Sequence, residues 1–184
     1  MTAAPMSNST SPHDALFKKV FGQPDHTGAA LRTMLPAALG MRVSWPSLKR
    51  CAGSFVDTLL ADSHSDLLFS AEIGGKPGLL YFIFEHQSSV DDLMPLRLMK
   101  YVVRVLEAHV QEAHAAGQAR LPLPVVIPAV LHHSERGWTA ATKIEALFDQ
   151  ELAGDPAIRP FIPHMSFALD DLSHLSDAEL AQRA

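Results

Sequence analysis

The sequence predicts a single α/β domain with a mixed central sheet flanked by helices. Short extended segments fill residues 48–87, and segments with apolar residues at helical spacings precede and follow them. The 184 residues suffice for one domain with a substantial core. Apolar residues make up 47% of the chain and charged residues 19%, which excludes wholesale disorder.

Charge, cysteine content and apolar runs exclude several classes of protein. The net charge of −5 gives no overall cationic field, so a polyanionic partner must meet a local basic patch. The single cysteine, Cys51, cannot form an internal disulfide, which favours a reducing, cytoplasmic location. The longest uncharged apolar run, residues 121–131, has eleven residues. A membrane span needs about 18, so we expect no membrane crossing.

We expect the chain to comprise three segments. Residues 1–10 lack the basic and apolar regions of a signal peptide and should form a flexible leader. Residues 11–175 should form the folded domain. Ser176 and Glu179 have the spacing of a capping box, so residues 176–184 should begin a C-terminal helix that the end of the chain truncates.

Two helices are predicted first. Ser11 followed by Pro12 is typical of a helix start. The apolar residues expected on its inward side are Leu16, Phe17, Val20 and Phe21. A second helix is predicted over residues 27–39, with Pro36 straining its last turn and Gly40 ending it. Its inward side chains should be Leu31, Met34 and Leu35.

Three extended segments follow, over residues 48–56, Asp66–Ile73 and residues 79–87. The run Gly74-Gly75-Lys76-Pro77-Gly78 is a turn signal, so the second and third segments should form an antiparallel hairpin. The third segment is apolar on both faces, which is typical of a central strand covered on both sides.

A long helix is predicted over residues 91–116. Its apolar residues alternate at three- and four-residue steps, and we expect them to face the core: Leu96, Met99, Val103, Leu106 and Val110. Residues 125–132 predict a buried strand in which Pro128 must lie at an edge or a bulge. Weaker signals predict a helix over residues 142–148 and a late strand over residues 165–169.

Polar side chains are predicted to converge at one end of the hairpin. With the turn centred near Gly75 or Lys76, the residue numbers of paired residues sum to about 149 to 152, and those of Asp66 and Glu85 sum to 151. Alternation places Gln87 on the face of Glu85. Two carboxylates this close repel unless a cation lies between them, so the pair is a candidate site for Mg²⁺ or Mn²⁺. The backbone carbonyl of His86 is a further candidate ligand.

That pair of carboxylates also has a structural interpretation. Asp66 could be an exposed residue at the start of a strand, and Glu85 could end a buried strand at the surface, since antiparallel strands often end in polar residues.

The long helix carries a basic stripe of Arg97, Lys100 and Arg104, with Tyr101 one turn after Arg97. The stripe could bring Arg97 and Tyr101 to phosphate oxygens beside the hairpin, because guanidinium geometry suits bidentate phosphate contact. The alternative is a solvated face whose cations pair with acidic residues. Lys18, on the first helix, is a further candidate at the rim of the site.

The ten histidines form no zinc-protease motif. His132 and His133 are adjacent, so on a strand their side chains would point to opposite faces. We interpret both as structural or exposed.

Four runs of sequence occur in a recognisable order. They are HDALFKKVF from residue 13, SDLLF from residue 65, FEHQSS from residue 84 and MPLRLMKY from residue 94. Together they resemble the recombination-promoting nuclease family, whose members are also described as YhgA-like transposases. The resemblance covers about residues 11–172. It implies a nuclease of the PD-(D/E)XK type with a restriction-endonuclease-like core.

The resemblance implies a metal-dependent DNA endonuclease acting in recombination or mobile-element biology. By position, Asp66 corresponds to the motif aspartate and Glu85 to the second acidic ligand, holding Mg²⁺ or Mn²⁺ with the carbonyl of His86. Gln87 occupies the place where many relatives in the wider superfamily carry lysine. It would position the attacking water by hydrogen bonds, without the positive charge of lysine. Our hypothesis for the DNA contacts of such an enzyme is Arg97 and Tyr101 at the scissile phosphate, with Lys18 and Lys100 as lesser candidates.

Two observations favour an alternative function. Lysine is missing at position 87, and the net charge is −5. At the end of the strand predicted over residues 125–132, His132, His133 and Ser134 replace the tyrosine, asparagine and glycine that the family usually shows, so we expect the loop there to differ from that of the family. The alternative is a catalytically inactive module that keeps the nuclease fold and binds nucleic acid or protein. If the chain does cut both strands of DNA, a symmetric homodimer would suit that activity.

Overall fold

The computed structural model describes residues 12–51, 66–85, 90–176 and 178–179. For residues 12–15, 84 and 85 it describes the backbone alone. The helices are α1 (Pro12–Phe21), α2 (Pro24–Met34), α3 (Ala37–Gly40), α4 (Met94–Ala115) and α5 (Gln150–Gly154). Single 3₁₀ turns lie at Ile144–Leu147 and Arg159–Phe161. The strands are β1 (Val43–Arg50), β2 (Asp66–Ile73), β3 (Lys76–Glu85), β4 (Val125–His132) and β5 (Ala168–Asp171).

The five strands form one mixed sheet in the order β1-β2-β3-β4-β5. Strands β1, β2 and β3 form an antiparallel meander. Strand β4 runs parallel to β3, and β5 runs parallel to β4. The long helix α4 makes the crossover between β3 and β4 that a parallel pair requires. The predicted α/β class is confirmed, and the architecture is consistent with a restriction-endonuclease-like core.

Strand β3 lies at the centre of the core. Its alternate side chains belong to two apolar clusters on opposite faces of the sheet. On one face Phe82 packs against Phe17 of α1, with ring centroids 5.4 Å apart, and the cluster includes Leu31 of α2. On the other face Tyr81 and Ile83 lie in a cluster with residues of α4. The prediction of a central strand covered on both sides is confirmed.

The hairpin between β2 and β3 turns on Gly74 and Gly75, whose φ angles are +59° and +73°. Positive φ at both central residues is the conformation that favours glycine, and its twist suits a two-residue hairpin. The turn sets the register so that Asp66 pairs with Ile83 and Ile73 with Lys76.

Several predicted boundaries require correction. The second helix ends at Met34, because Pro36 cannot continue it, and α3 is a separate turn. The first strand is Val43–Arg50 rather than residues 48–56. Pro46 is tolerated there because β1 is an edge strand whose pairing with β2 is irregular between Ser44 and Lys49. Residues 52–56 lie outside the described part of the chain.

The predicted inward faces of two helices were wrong in part. In α1, Phe17 is buried, but Leu16 is 59% exposed. In α4, Leu96 and Val103 are exposed, and the buried residues are Met94, Pro95, Leu98, Tyr101, Val105, Ala108 and Ala113. The sheet therefore receives the opposite side of α4 from the one that we predicted.

The C-terminal part follows its predictions more closely. Pro128 lies one residue before the pairing of β4 with β5 begins, so it can lack an N–H donor there. The predicted helix over residues 142–148 is a single 3₁₀ turn, Ile144–Leu147. The late strand exists as β5, but it lies at Ala168–Asp171 rather than residues 165–169. The capping box is present, since Ser176 donates a backbone hydrogen bond to the carboxylate of Glu179 at 2.8 Å. None of the described helices is long and apolar enough to span a bilayer.

Candidate active site

Polar residues collect at one edge of the sheet, where β3, β4 and β5 end and β2 begins. The residues at these positions are Glu85, His132, Asp171 and Asp66. The edge arises because β3, β4 and β5 are parallel, so their carboxyl ends coincide, while antiparallel β2 contributes its first residue. Binding sites in α/β proteins commonly lie at such an edge.

Asp66 is buried at this edge, with 2% of its surface exposed. Its Oδ2 accepts a hydrogen bond from the hydroxyl of Tyr81, which is fully buried on β3. A buried carboxylate is costly without such donors. The alternative of an exposed residue at the start of a strand is therefore wrong for Asp66.

Glu85 lies two residues beyond Ile83, the partner of Asp66. The predicted direct pairing of Asp66 with Glu85 is therefore wrong by two residues, because the turn uses only Gly74 and Gly75. Strand alternation still assigns position 85 to the face of position 83, which is also the face of Asp66. The two acidic positions are diagonal neighbours, a relation with a Cα separation of about 7–8 Å.

This donor set fits a divalent cation. Mg²⁺ prefers carboxylate and carbonyl oxygens and keeps several waters, so it needs only one or two protein carboxylates. The hydroxyl of Tyr81 engages one carboxylate oxygen of Asp66, Oδ2, so a cation would have to use Oδ1. Among the side chains that the structure describes, no three acidic, histidine or cysteine residues form a metal site, and Glu85 is not in that set.

His86 and Gln87 lie outside the described residues. Their roles as a carbonyl ligand and as the residue that positions water stay predictions.

Helix α4 brings two predicted contact residues to the same face of the sheet. The ring of Tyr101 lies 5.6 Å from that of Tyr81, and Tyr101 is 8% exposed. Arg97, one turn earlier, lies 3.8 Å from the carboxylate of Asp91. Asp91 also accepts a backbone hydrogen bond from Leu93 at 2.9 Å, so it is fixed next to the start of α4.

The pKa of Tyr81 is raised far above its usual range. Burial is the main cause, and the negative charge and hydrogen bond of Asp66 add to it. The positive charge of Arg97 acts in the opposite direction, which places Arg97 within electrostatic reach of this pair. The phenol therefore stays protonated and remains a hydrogen-bond donor to Asp66.

The other two predicted contact residues lie elsewhere. Lys100 is exposed on α4. Lys18 is on α1, whose Phe17 packs on the opposite face of the sheet from Tyr101. The structure thus brings Asp66, Arg97 and Tyr101 to one face and leaves Lys18 on an element of the other.

Sequence reasoning missed His132 and Asp171 as residues of this edge. His132 is fully buried, and it pairs with Glu85 on β3 and with Asp171 on β5. Its Nε2 lies 3.0 Å from Ser134 Oγ. Its ring meets that of Trp138 edge-on, with centroids 5.0 Å apart. The available signal was a histidine ending a buried strand that runs parallel to the strand of Glu85. Adjacent His133 is exposed, as alternation predicts.

Asp171 is held by the segment that follows β4. Its Oδ2 accepts a hydrogen bond from the backbone of Trp138 at 2.7 Å, and its Oδ1 accepts one from the backbone of Ser173 at 3.1 Å. Burial raises the pKa of Asp171, but the hydrogen bonds from Ser173 and Trp138 and the charge of His132 outweigh burial and leave the pKa below its usual range. Asp171 thus stays ionised beside His132.

Comparison with known protein families shows the family of this chain. The family described as "Putative transposase, YhgA-like" matches residues 11–184. The chain belongs to this family.

Relatives within the family differ in the activity that their names state. The chain is 34% identical over 182 residues to recombination-promoting nuclease RpnD of Escherichia coli O157:H7, covering 96% of this chain and 65% of the relative. It is 30% identical over 179 residues to recombination-promoting nuclease RpnA of E. coli K12, covering 95% of this chain and 56% of the relative.

A third relative, the inactive recombination-promoting nuclease-like protein RpnE of E. coli K12, is 30% identical over 176 residues, covering 96% of this chain and 56% of the relative. The chain therefore spans between about half and two thirds of the length of these relatives. No solved structure gave a significant match.

Proposed function

We propose that this member of the YhgA-like family is a metal-dependent nuclease that hydrolyses phosphodiester bonds of DNA during recombination. The observation that carries the proposal is the buried carboxylate of Asp66 beside the acidic position 85, on one face and at one end of β2 and β3. Relatives at 30 to 34% identity are named recombination-promoting nucleases, which supports the same activity here.

In this proposal Asp66, Glu85 and the carbonyl of His86 hold Mg²⁺ or Mn²⁺. When bound, such an ion lowers the pKa of water and neutralises charge that develops on the phosphate. Tyr81 orients Asp66 through the hydrogen bond that its hydroxyl donates.

The chain's own side chains supply the remaining functions. Gln87 orients the attacking water through its amide. Arg97 and Tyr101, on the first turns of α4, contact the scissile phosphate. Lys18 and Lys100 contact DNA further from the cut.

The test is cleavage of supercoiled plasmid DNA with Mg²⁺. The variants are Asp66→Asn and Glu85→Gln, which keep side-chain size while removing charge, with Glu72→Gln as the matched control. Glu72 is exposed on β2, near the opposite end of the strand from Asp66. We expect both site variants to lose about 100-fold or more in rate, because charge stabilisation of the transition state is of this size. The control should cleave like the wild type.

Equal cleavage by the wild type and both site variants would overturn the proposal. So would wild-type cleavage that continues when EDTA removes divalent ions.

A second function has specific support, because RpnE is named inactive and is as similar to this chain as RpnA is. The chain would then be an interaction module that binds nucleic acid or protein without cutting. Calorimetric titration with Mn²⁺ separates the two. A nuclease site should bind Mn²⁺ and lose that heat in Glu85→Gln, whereas an inactive module should give no heat with the wild type.

A further inference from the structure

Helix α4 carries a strip of apolar side chains on its solvent side. The strip consists of Leu96, Met99, Val103, Leu106 and Val110. Leu96 is 51% exposed and Val103 48% exposed, and the other three are half-buried. The opposite side of α4 packs on the sheet through Leu98, Tyr101 and Val105. The helix is therefore apolar on two sides, and only one of them is used within the described fold.

The spacing within the strip is that of a helix-pairing seam. Its residues alternate at steps of three and four over two heptads, as do the a and d positions of two-stranded coiled coils. Surface leucines and valines scattered singly need no explanation, but a continuous exposed strip marks an interaction surface. This strip spans about four turns of one helix.

Two opposite charges flank the strip on one side. Lys100 and Glu107 each follow a d position of the seam, Met99 or Leu106, by one residue, and both are exposed. In an antiparallel pair of identical helices, such flanking positions face each other across the seam. With Val103 of one copy packed on Leu106 of the other, Lys100 of each copy lies beside Glu107 of the other. A parallel pair would not bring these two charges together.

We propose that this strip is the interface of an antiparallel homodimer, in which α4 of one copy packs against α4 of a second copy. The charge pattern favours another copy of this chain as the partner, because the surface is complementary to itself about a two-fold axis. The strip lies on the other side of α4 from Tyr101, so the dimer leaves Asp66 and Tyr101 uncovered. Lys100, an outer contact of the proposed DNA interface, lies at the rim of the dimer interface. The dimer does not depend on the proposed nuclease activity.

The first test is the mass of the whole chain by sedimentation equilibrium over a range of concentrations, without DNA. We expect a concentration-dependent dimer. Val103→Glu should abolish it by placing a charge at the centre of the seam, with at least about a 100-fold loss of affinity. Circular dichroism checks that the variant is folded. Leu152→Glu is the matched control, because Leu152 is 55% exposed on α5, outside the strip.

The second test uses charge reversal. Lys100→Glu alone and Glu107→Lys alone should each weaken the dimer by about tenfold, because two contacts become repulsive. Mixing the two variants should restore the affinity, because both contacts in the mixed dimer are attractive again.

Three results would each overturn the proposal. A wild-type chain that stays monomeric shows that the strip has another partner or none. A dimer that survives Val103→Glu uses another surface. A mixture of the two charge variants that fails to associate excludes the antiparallel pairing.

Discussion

At the scale of single residues, the notable feature is a phenol that cannot easily lose its proton. Tyr81 is fully buried and donates its hydroxyl hydrogen to Asp66, and both the burial and the carboxylate disfavour a phenolate. Tyr81 therefore offers Asp66 the same donor across the physiological pH range. Partners of this kind fix the orientation of metal-binding carboxylates.

This predicts an alkaline titration in which Tyr81 is silent while the protein is folded. The chain has two tyrosines, Tyr81 and Tyr101, so phenolate absorbance at 295 nm reports on few groups. We expect Tyr81→Phe to leave the titration curve of the folded protein unchanged, and to lose amplitude only in the step that accompanies unfolding. If Tyr81→Phe removed the absorbance change of one tyrosine before the protein unfolds, the raised pKa of Tyr81 would be contradicted.

The sign of the stability effect follows from the same shift. Above the ordinary tyrosine pKa of 10.0, the unfolded chain releases the Tyr81 proton and the folded chain keeps it. The free energy of unfolding therefore falls as pH rises above about 10. This fall should be smaller in Tyr81→Phe, as measured by urea denaturation.

At the scale of elements, α4 illustrates a choice between two apolar stripes. One stripe is Leu96, Met99, Val103, Leu106 and Val110, and the other is Met94, Leu98, Tyr101, Val105 and Ala108. Both have helical spacing. The second packs on the sheet, where Tyr101 meets Tyr81 and small Ala108 is buried.

The assignment of faces predicts opposite costs for two neighbouring leucines. Leu98 is fully buried, so Leu98→Ala should cost about 2–5 kcal/mol of unfolding free energy. Leu96 is about half exposed, so Leu96→Ala should cost less than about 1 kcal/mol. Urea denaturation at low protein concentration measures both without a contribution from association. If Leu96→Ala were instead the more costly substitution, the buried face of α4 would be the one that the sequence predicted.

At the scale of the whole molecule, the proposed binding of DNA works against a net charge of −5. The proposed contacts are therefore local, and Arg97 on α4 is the cation whose charge acts on Tyr81. Each phosphate that a cationic side chain neutralises releases counterions, so the salt dependence of affinity reports the number of contacts between cations and phosphates.

We predict that Arg97→Ala reduces the slope of log affinity against log salt concentration by about one. Fluorescence anisotropy of labelled duplex DNA at several salt concentrations measures the slope. Arg42→Ala is the control, since Arg42 is exposed and adjoins the hairpin turn at the other end of β2. Equal slopes for the wild type and Arg97→Ala would remove Arg97 from the DNA interface.

Much of the fold was predictable because its signals are local. The bounds of β2, the turn at Gly74 and Gly75, and the helix that starts at Pro12 follow from strand alternation, glycine conformation and capping. The position of Asp66 at the edge of the sheet followed from the same hairpin. The predicted pairing of β2 with β3 was wrong by two residues, because several turn lengths fit one glycine-rich run and each gives a different partner for Asp66.

The remainder depended on contacts between distant parts of the chain. The sequence alone identified the element order, the acidic positions 66 and 85 and an apolar seam on the long helix. Packing between elements established which side of α4 meets the sheet, that Asp66 is buried against Tyr81, and that His132 and Asp171 share its edge. Local patterns specify which residues form a helix or a strand. Which face of a helix is buried depends on the shape and chemistry of the sheet against which the helix packs.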